Sequence, residues 1–279
     1  MRLVRLTLIQ MNSGREPEEN IAHACELVDA AAAGKPDLIV VPEFFNTIFF
    51  AQYRDYGYFD LAEGADGPAI SAMRERARKH GCHIVATIYE REAAGVYYDT
   101  AFVLDPQGET VGKYRKAQPA AVQSLEKIYF RYGSHFPVFR VGEWRVGINV
   151  CYDTFFPESA RCAALNGADL IVVPFAAPEQ VLWRDVMRTR AFDNGVWFAP
   201  CNKVGLEGEW TFGGSSMIVD PLGQVVAEAG AAEEETISAE IDLAAVDAAR
   251  RRYPMFRDRR PDLYGPICAN TEDIPAVPH

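Results

Sequence analysis

The chain has 279 residues and a mass of 31.0 kDa, and 49% of its residues are hydrophobic, enough for one large domain or two small ones with a sizeable core. A formal net charge of −11 and an isoelectric point near 5.0 argue against nucleic acid and anionic membrane as partners. The opening "MRLVRLTLIQM" alternates like a strand and has no small-residue cleavage site, and no apolar run approaches a membrane span, so a cytoplasmic protein is expected.

In chain order, residues 3–11 read as a first strand. Ile21, Ala24, Leu27, Val28 and Ala31 follow at helical spacing, with Gly34 as the expected stop. The continuously apolar "DLIVV" at 37–41 has the composition of a strand buried on both faces. "GPAISAMRERARKHG" places Pro68 near the start of a second helix, basic residues in its last turn and Gly81 after it. "CHIVATIYE" is again strand-like, and "TAFVLDPQGETVGKYRK" reads as a hairpin turning at Asp105–Gly108. The second half repeats the logic with strand "RVGINV", helix "PESARCAALNG", strand "DLIVVP", helix "PEQVLWRDVMRTRAFDNG" and strand "VWFAPC". A hairpin in "GSSMIVDPLGQVVAEA" and a strand in "ETISAEID" complete it. Two similar halves predict a single α/β domain over residues 1–279, with mixed sheets and internal pseudo-two-fold symmetry. From about residue 250 the pattern breaks into basic and then Pro-rich sequence, so 250–279 is expected to form an arm at an oligomer interface.

Six cysteines lie scattered without zinc-ligand spacing, which predicts reduced thiols and neither a disulfide framework nor a metal. Cys151 stands apart from the others. It ends "RVGINV" and precedes a helix, so it occupies a strand-to-helix elbow at the carboxyl end of a strand, where ligands of α/β folds collect. Cys25, Cys82, Cys162, Cys201 and Cys268 are expected to be buried small hydrophobes. A nucleophilic thiol needs a proton acceptor, and none of the five histidines sits at the exit of a buried strand. Glu43 does, leaving "DLIVVP" as Cys151 leaves "RVGINV", and Lys116 follows the hairpin strand "ETVGKYR". These three form a Glu/Lys/Cys constellation after the strands of one pseudo-symmetric sheet pair, while Lys113 reads as a solvated strand residue. "DLIVVP" itself occurs twice, at 37–42 and 169–174, followed once by Glu43 and once by Phe175.

"VVPEFF", "GKYRKAQP" and "GINVCYDTFFPE", in this order, resemble the nitrilase superfamily, the thiol carbon–nitrogen hydrolases. The resemblance runs from residue 3 to about 265 and includes "LNGADLIVVP", "DNGVWFAPCNKVG" and "FGGSSMIVDPLG". It implies a four-layer α-β-β-α sandwich and a catalytic triad of Glu43, Lys116 and Cys151, with no cofactor. A second glutamate, Glu126 in "SLEKIYF", is implied to position Lys116 and the substrate nitrogen. Glu43 would take the thiol proton, Lys116 and the backbone N–H following Cys151 would stabilise the oxyanion, and a thioester would form and be hydrolysed. The family also implies a homodimer or higher homo-oligomer, with the helix after Cys151 and the segment Arg257–Pro266 at the interface.

Within the superfamily, "SLEKIYFRYG" and "FRDRRPDLYGPI" look most like the N-carbamoyl-amine amidases, such as N-carbamoylputrescine amidase. The expected partner is therefore a small-molecule amide or N-carbamoyl amine. A nitrile substrate, acyl transfer to an amine, and a non-catalytic binding role stay open as alternatives. Branches acting on N-carbamoyl-D-amino acids carry arginines just after the cysteine; Thr154 and Phe155 here disfavour a carboxylate-bearing substrate at that site. The aromatics Phe44, Phe45, Phe49, Phe50, Tyr53 and Tyr152 either pack a core or wall a pocket for an apolar or cationic substrate body. Phe49, Tyr53, Tyr152, Phe175 and Ala176 are the expected substrate-binding residues. The chain departs from the family pattern at Gln118 and Pro119, where a His and an aliphatic are common, and in "PFAAPE", which replaces a small-polar run.

Overall fold

The computed structural model describes residues 3–178 and 182–269. The first half runs β1 (Val4–Gln10), α1 (Pro17–Ala31), β2 (Leu38–Val40), α2 (Pro68–His80), β3 (His83–Ala93), β4 (Val96–Leu104), β5 (Thr110–Arg115) and the one-turn α3 (Glu126–Tyr129). The second runs β6 (Val138–Val141), β7 (Trp144–Ile148), α4 (Pro157–Leu165), β8 (Leu170–Phe175), α5 (Trp183–Asn194), β9 (Trp197–Asn202), β10 (Val204–Glu207), β11 (Trp210–Gly213), β12 (Met217–Val219), β13 (Val225–Glu228), β14 (Glu235–Ile241) and α6 (Leu243–Arg252).

Two six-stranded sheets carry the fold, in the orders β14-β1-β2-β3-β4-β5 and β13-β12-β9-β8-β7-β6. Each has three central parallel strands, one antiparallel neighbour on one side and an antiparallel pair on the other. The sheets are thus copies of one design, and the two "DLIVVP" strands, β2 and β8, hold the same middle place in each. Both are fully buried, which is what a continuously apolar run requires.

The inner faces pack on one another: Leu6, Leu8, Val40 and Val103 of the first sheet share a core with Val146, Ile148, Leu170 and Val172 of the second. The outer face of the first sheet, with Ile39 and Ile84, is covered by Ala24 and Val28 of α1 and Ile70 and Met73 of α2. Ala160 and Ala163 of α4 and Met187 and Ala191 of α5 cover the second. The molecule is a four-layer α-β-β-α sandwich, because each sheet buries one apolar face against its twin and the other against helices.

Local details depart from the sequence reading in four places. Helix α1 runs into a 3-10 turn and stops at Lys35, not Gly34; Lys35 adopts φ 53° and closes its N–H on Ala32 O. The strand "CHIVATIYE" continues to Ala93 and pairs with β4 through a turn at Gly95, adding a hairpin before the expected one. A further hairpin, β10–β11, pairs Val204–Glu207 with Trp210–Gly213. Cys25, Cys82 and Cys201 are buried as expected, whereas Cys162 on α4 and Cys268 in the terminal segment are exposed, lining a cavity between the two. After α6, whose Val246 and Ala249 are buried, the chain continues to Ala269 in short helical turns, mostly exposed but with Phe256 packed against the core. Residues 270–279 of the expected arm lie outside the described residues.

Candidate active site

Glu43 lies just beyond β2, Lys116 directly after β5, Glu126 opens α3, and Cys151 follows β7. All four are buried. The Lys116 ammonium donates to Glu43 Oε1 at 2.7 Å and lies 2.7 Å from Glu126 Oε2. The one-turn α3 is too short to be stable by its own hydrogen bonds, so its partners hold Glu126 in place. Ala120 N donates to Glu126 Oε2 at 2.8 Å, Leu125 N donates to Ala51 O, and the Tyr129 hydroxyl bonds the backbone of Tyr53 and Asp55.

Cys151 has φ 46°, a left-handed conformation that costs a non-glycine residue on the order of 1–3 kcal/mol. Asp153 holds the elbow in that state. Its carboxylate accepts from Val150 N at 3.0 Å, the Tyr114 hydroxyl at 2.6 Å and Gln118 N at 2.9 Å, so one buried group ties the cysteine turn to the segment that follows Lys116. Gln118, a departure from the family pattern, is committed here: its side-chain oxygen also accepts from Ser159 Oγ at the start of α4. The residue after Glu43, Phe44, is likewise left-handed at φ 51°, and the segment beyond it is pinned by a buried pair. Lys203 donates to Glu207 at 2.9 Å and to Thr47 O, while Glu207 accepts from Phe49 N and Ser13 N.

The electrostatics follow from burial around one cation. Burial pushes the Cys151 thiol well above its usual value, and Glu43 adds to the shift, so the resting sulfur is protonated and needs a base before it can attack. Burial opposes the charge on Lys116, but the acidic groups packed around it more than offset this and raise the ammonium well above an ordinary lysine. Burial raises Glu126, with Lys116 pulling the other way.

A cavity of about 380 Å³ opens onto this cluster. Cys151 and Glu126 reach its wall, whereas Glu43 and Lys116 sit behind it. Of the expected substrate-binding residues, Phe49, Tyr152, Phe175 and Ala176 line it. Tyr53 does not: its ring stacks on Tyr58 at 5.8 Å within the aromatic cluster that also buries Phe44 and Phe50. Phe45 belongs to the outer core under α1 and α2. Ala120 and residues 122–124 complete one side of the wall, and Trp210, stacked on Phe49 at 5.0 Å, completes another with Phe155, Ala177 and Pro178. Asn202 fixes that side by accepting from Ala177 N and donating to Ala177 O. Glu179, the end of "PFAAPE", lies outside the described residues. Lys113 is only partly solvated: it pairs with buried Glu90 at 2.5 Å and with Glu92 at 2.9 Å, both on β3 across β4 from its own strand.

The sequence reading missed Asp99, Asp153 and Trp210. Asp153 had a signal, a carboxylate two residues beyond an elbow cysteine, whereas Asp99 in the half-apolar β4 had none. Trp210 had none, since the hairpin that delivers it was unrecognised.

The family model of the carbon–nitrogen hydrolases matches residues 5–251. The chain is 33% identical to an N-carbamoylputrescine amidase of Solanum lycopersicum, over 94% of each chain. It is 36% identical to a nitrilase of Pyrococcus abyssi, over 94% of this chain and 99% of that one. Its fold superposes with a TM-score of 0.91 on the crystal structure of a carbon–nitrogen hydrolase from Helicobacter pylori G27, which is 29% identical, over 96% of this chain and 99% of the other.

Proposed function

The chain belongs to the carbon–nitrogen hydrolase family, and from that premise we propose that it cleaves the C–N bond of a small amide or N-carbamoyl amine through a thioester on Cys151. The observation that carries this reading is the buried Lys116 ammonium, 2.7 Å from both Glu43 and Glu126, beside an elbow cysteine at the wall of the cavity. Glu43 takes the thiol proton as Sγ attacks the carbonyl carbon. Lys116 and the backbone N–H following Cys151 stabilise the oxyanion, a contribution of about 3–4 kcal/mol per donor. The intermediate collapses with transfer of the proton to the departing ammonia or amine, leaving an acyl- or carbamoyl-thioester. Glu43 then draws a proton from water, which attacks the thioester carbon and frees the thiol and the acid. Glu126 orients Lys116 and the substrate nitrogen.

Among the described lining residues Glu126 is the only charged one, and the rest of the wall is mainly aromatic and aliphatic. This favours a substrate whose non-reacting part is neutral and apolar, since a charge placed away from Glu126 would lose its hydration without gaining a charged partner among the described lining residues. A nitrile is the second reading, favoured by the Pyrococcus relative. Incubating the protein with matched amides, carbamoyl amines and nitriles and weighing the Cys151 peptide separates them. An acyl or carbamoyl adduct from the amide or carbamoyl series supports the proposal; turnover of nitriles with inert amides overturns it.

The same proposal includes a homodimer or larger homo-oligomer formed through α4 and the segment after α6, where Leu165, Leu263 and Ile267 are exposed. A single monomeric mass by light scattering would contradict it. No helix among the described residues is long and apolar enough to cross a membrane. All six cysteines are unpaired, which fits a reducing compartment such as the cytoplasm.

A further inference from the structure

Three carboxyl groups surround the Lys116 ammonium, and two of them have roles in the reaction. The third, Asp99 on β4, is fully buried, and its Oδ2 lies 3.3 Å from Lys116 Nζ. One oxygen each of Glu43, Asp99 and Glu126 lies within 4.8 Å of the others. The supply of donors is unequal. Glu126 Oε2 is met by Lys116 and by Ala120 N, and Glu43 Oε1 by Lys116. Glu43 Oε2 and both Asp99 oxygens have no hydrogen-bond donor, although an oxygen of Asp99 lies within 4.8 Å of one of Glu43. Two ionised carboxylates so placed, sealed from water and facing acceptor to acceptor, repel; one shared proton turns the repulsion into a charge-assisted hydrogen bond and partners both orphaned groups.

We propose that Asp99 is a neutral carboxylic acid in the resting protein, donates its O–H to Glu43 Oε2, and so acts as a positioning residue that keeps Glu43 ionised and aimed at the thiol. The proton belongs on Asp99 because it has the fewest donors of the three. With Asp99 neutral, one ammonium faces two carboxylates instead of three. Burial first, and then the charge of Glu43, drive the Asp99 carboxyl well above its usual value, in agreement with the geometry. The titratable groups that face it are Glu43 from the β2 exit, Lys116 after β5, Glu126 from α3 and Tyr114 on β5, while Cys151 at the β7 elbow faces Glu43, Lys116 and Glu126. Tyr114 is bonded to Asp153, and Lys203, which feels Glu43, stands behind them.

The inference rests on Glu43 being the base, and its test reads the proton separately from turnover. The infrared difference between the wild-type protein and D99N at neutral pH should contain a protonated-carboxyl C=O band of the wild type. No such band would overturn the proposal whatever the activity, whereas a band in a protein that hydrolyses nothing would leave Asp99 neutral and sink the catalytic reading alone. Asn is nearly isosteric with a protonated Asp and also donates, so D99N should fold. It should keep kcat/KM within about threefold and leave the acid limb of its pH profile in place. D99L removes the donor, and its acid limb should move to higher pH by about one unit or more, with kcat/KM near neutrality lowered about tenfold or more. A D99N protein that does not fold, a D99N acid limb displaced by about one unit, or a D99L profile superimposable on the wild type would each overturn it; should D99L not fold, the infrared comparison decides.

Discussion

The two copies of "DLIVVP" enter the same place in twin sheets and leave into opposite environments. Beyond β2 the chain delivers Glu43 to a sealed group of three carboxyls and one ammonium. At the end of β8 Phe175 stands edge-on to Trp183 at 4.5 Å and to Phe155 at 6.2 Å. One exit holds buried charge and the other presents an apolar wall, with Cys151 and the cavity between them. A duplicated scaffold thus specifies position, while the first residue after the repeat sets the local polarity.

Substitutions at the two exits should therefore separate activity from stability. E43Q and C151A should lower kcat/KM by about 10³-fold or more, as loss of a base or nucleophile does. Their urea midpoints should hardly move, because E43Q removes one of three carboxyls competing for one cation and leaves no uncompensated ammonium. Retained turnover in purified C151A would break the contrast and the catalytic assignment with it. F175A should do the reverse. Removing a fully buried ring costs about 3–5 kcal/mol of stability, measurable as a lower unfolding midpoint, while the molecules that stay folded keep the proton chemistry.

K203M tests the support of the first exit. It leaves Glu207 as an uncompensated buried charge beneath Phe49, which should cost about 3–5 kcal/mol and raise KM more than it lowers kcat. A K203M protein with wild-type stability would mean that the segment after Glu43 does not need its buried pair.

The smallest effect concerns acid. Burial would raise Glu90, but hydrogen bonds from Arg115, Lys113 and Thr100 outweigh it and hold the carboxyl down to about 2, against an ordinary value of 4.5. A carboxylate lowered in the folded state contributes stability that is fully present above about 4.5 and is lost as the pH falls through about 2. Because its partners are partly exposed and screened, the loss should be on the order of 1 kcal/mol. It should be absent from E90Q when denaturation midpoints are compared across that range.

Much of this was legible in the chain. The repeat, the helix and strand periods and the elbow cysteine all depend on a few neighbouring residues. Strand exits that put Glu43, Lys116 and Cys151 after parallel or hairpin strands could be read before any contact was known. Asp99 could not, because a single carboxylate in a half-apolar strand looks the same whether it faces water or a lysine. Tyr53 failed for the related reason that an aromatic near a site packs on its own neighbours as readily as it walls a cavity, and Lys113 because its partners sit on another strand.

The sequence by itself determined the doubled α/β layout and the small set of polar residues able to do chemistry, since local sterics and side-chain period act over a handful of positions. Only the tertiary structure decided which of those groups meet. Lys116 and Glu43 are 73 residues apart, and the ammonium reaches its carboxylates because the registers of β3, β4 and β5 carry it across the sheet. Burial then removes the water that would otherwise screen them, so the fold, more than the residue types, sets how strongly three carboxyl groups and one ammonium interact.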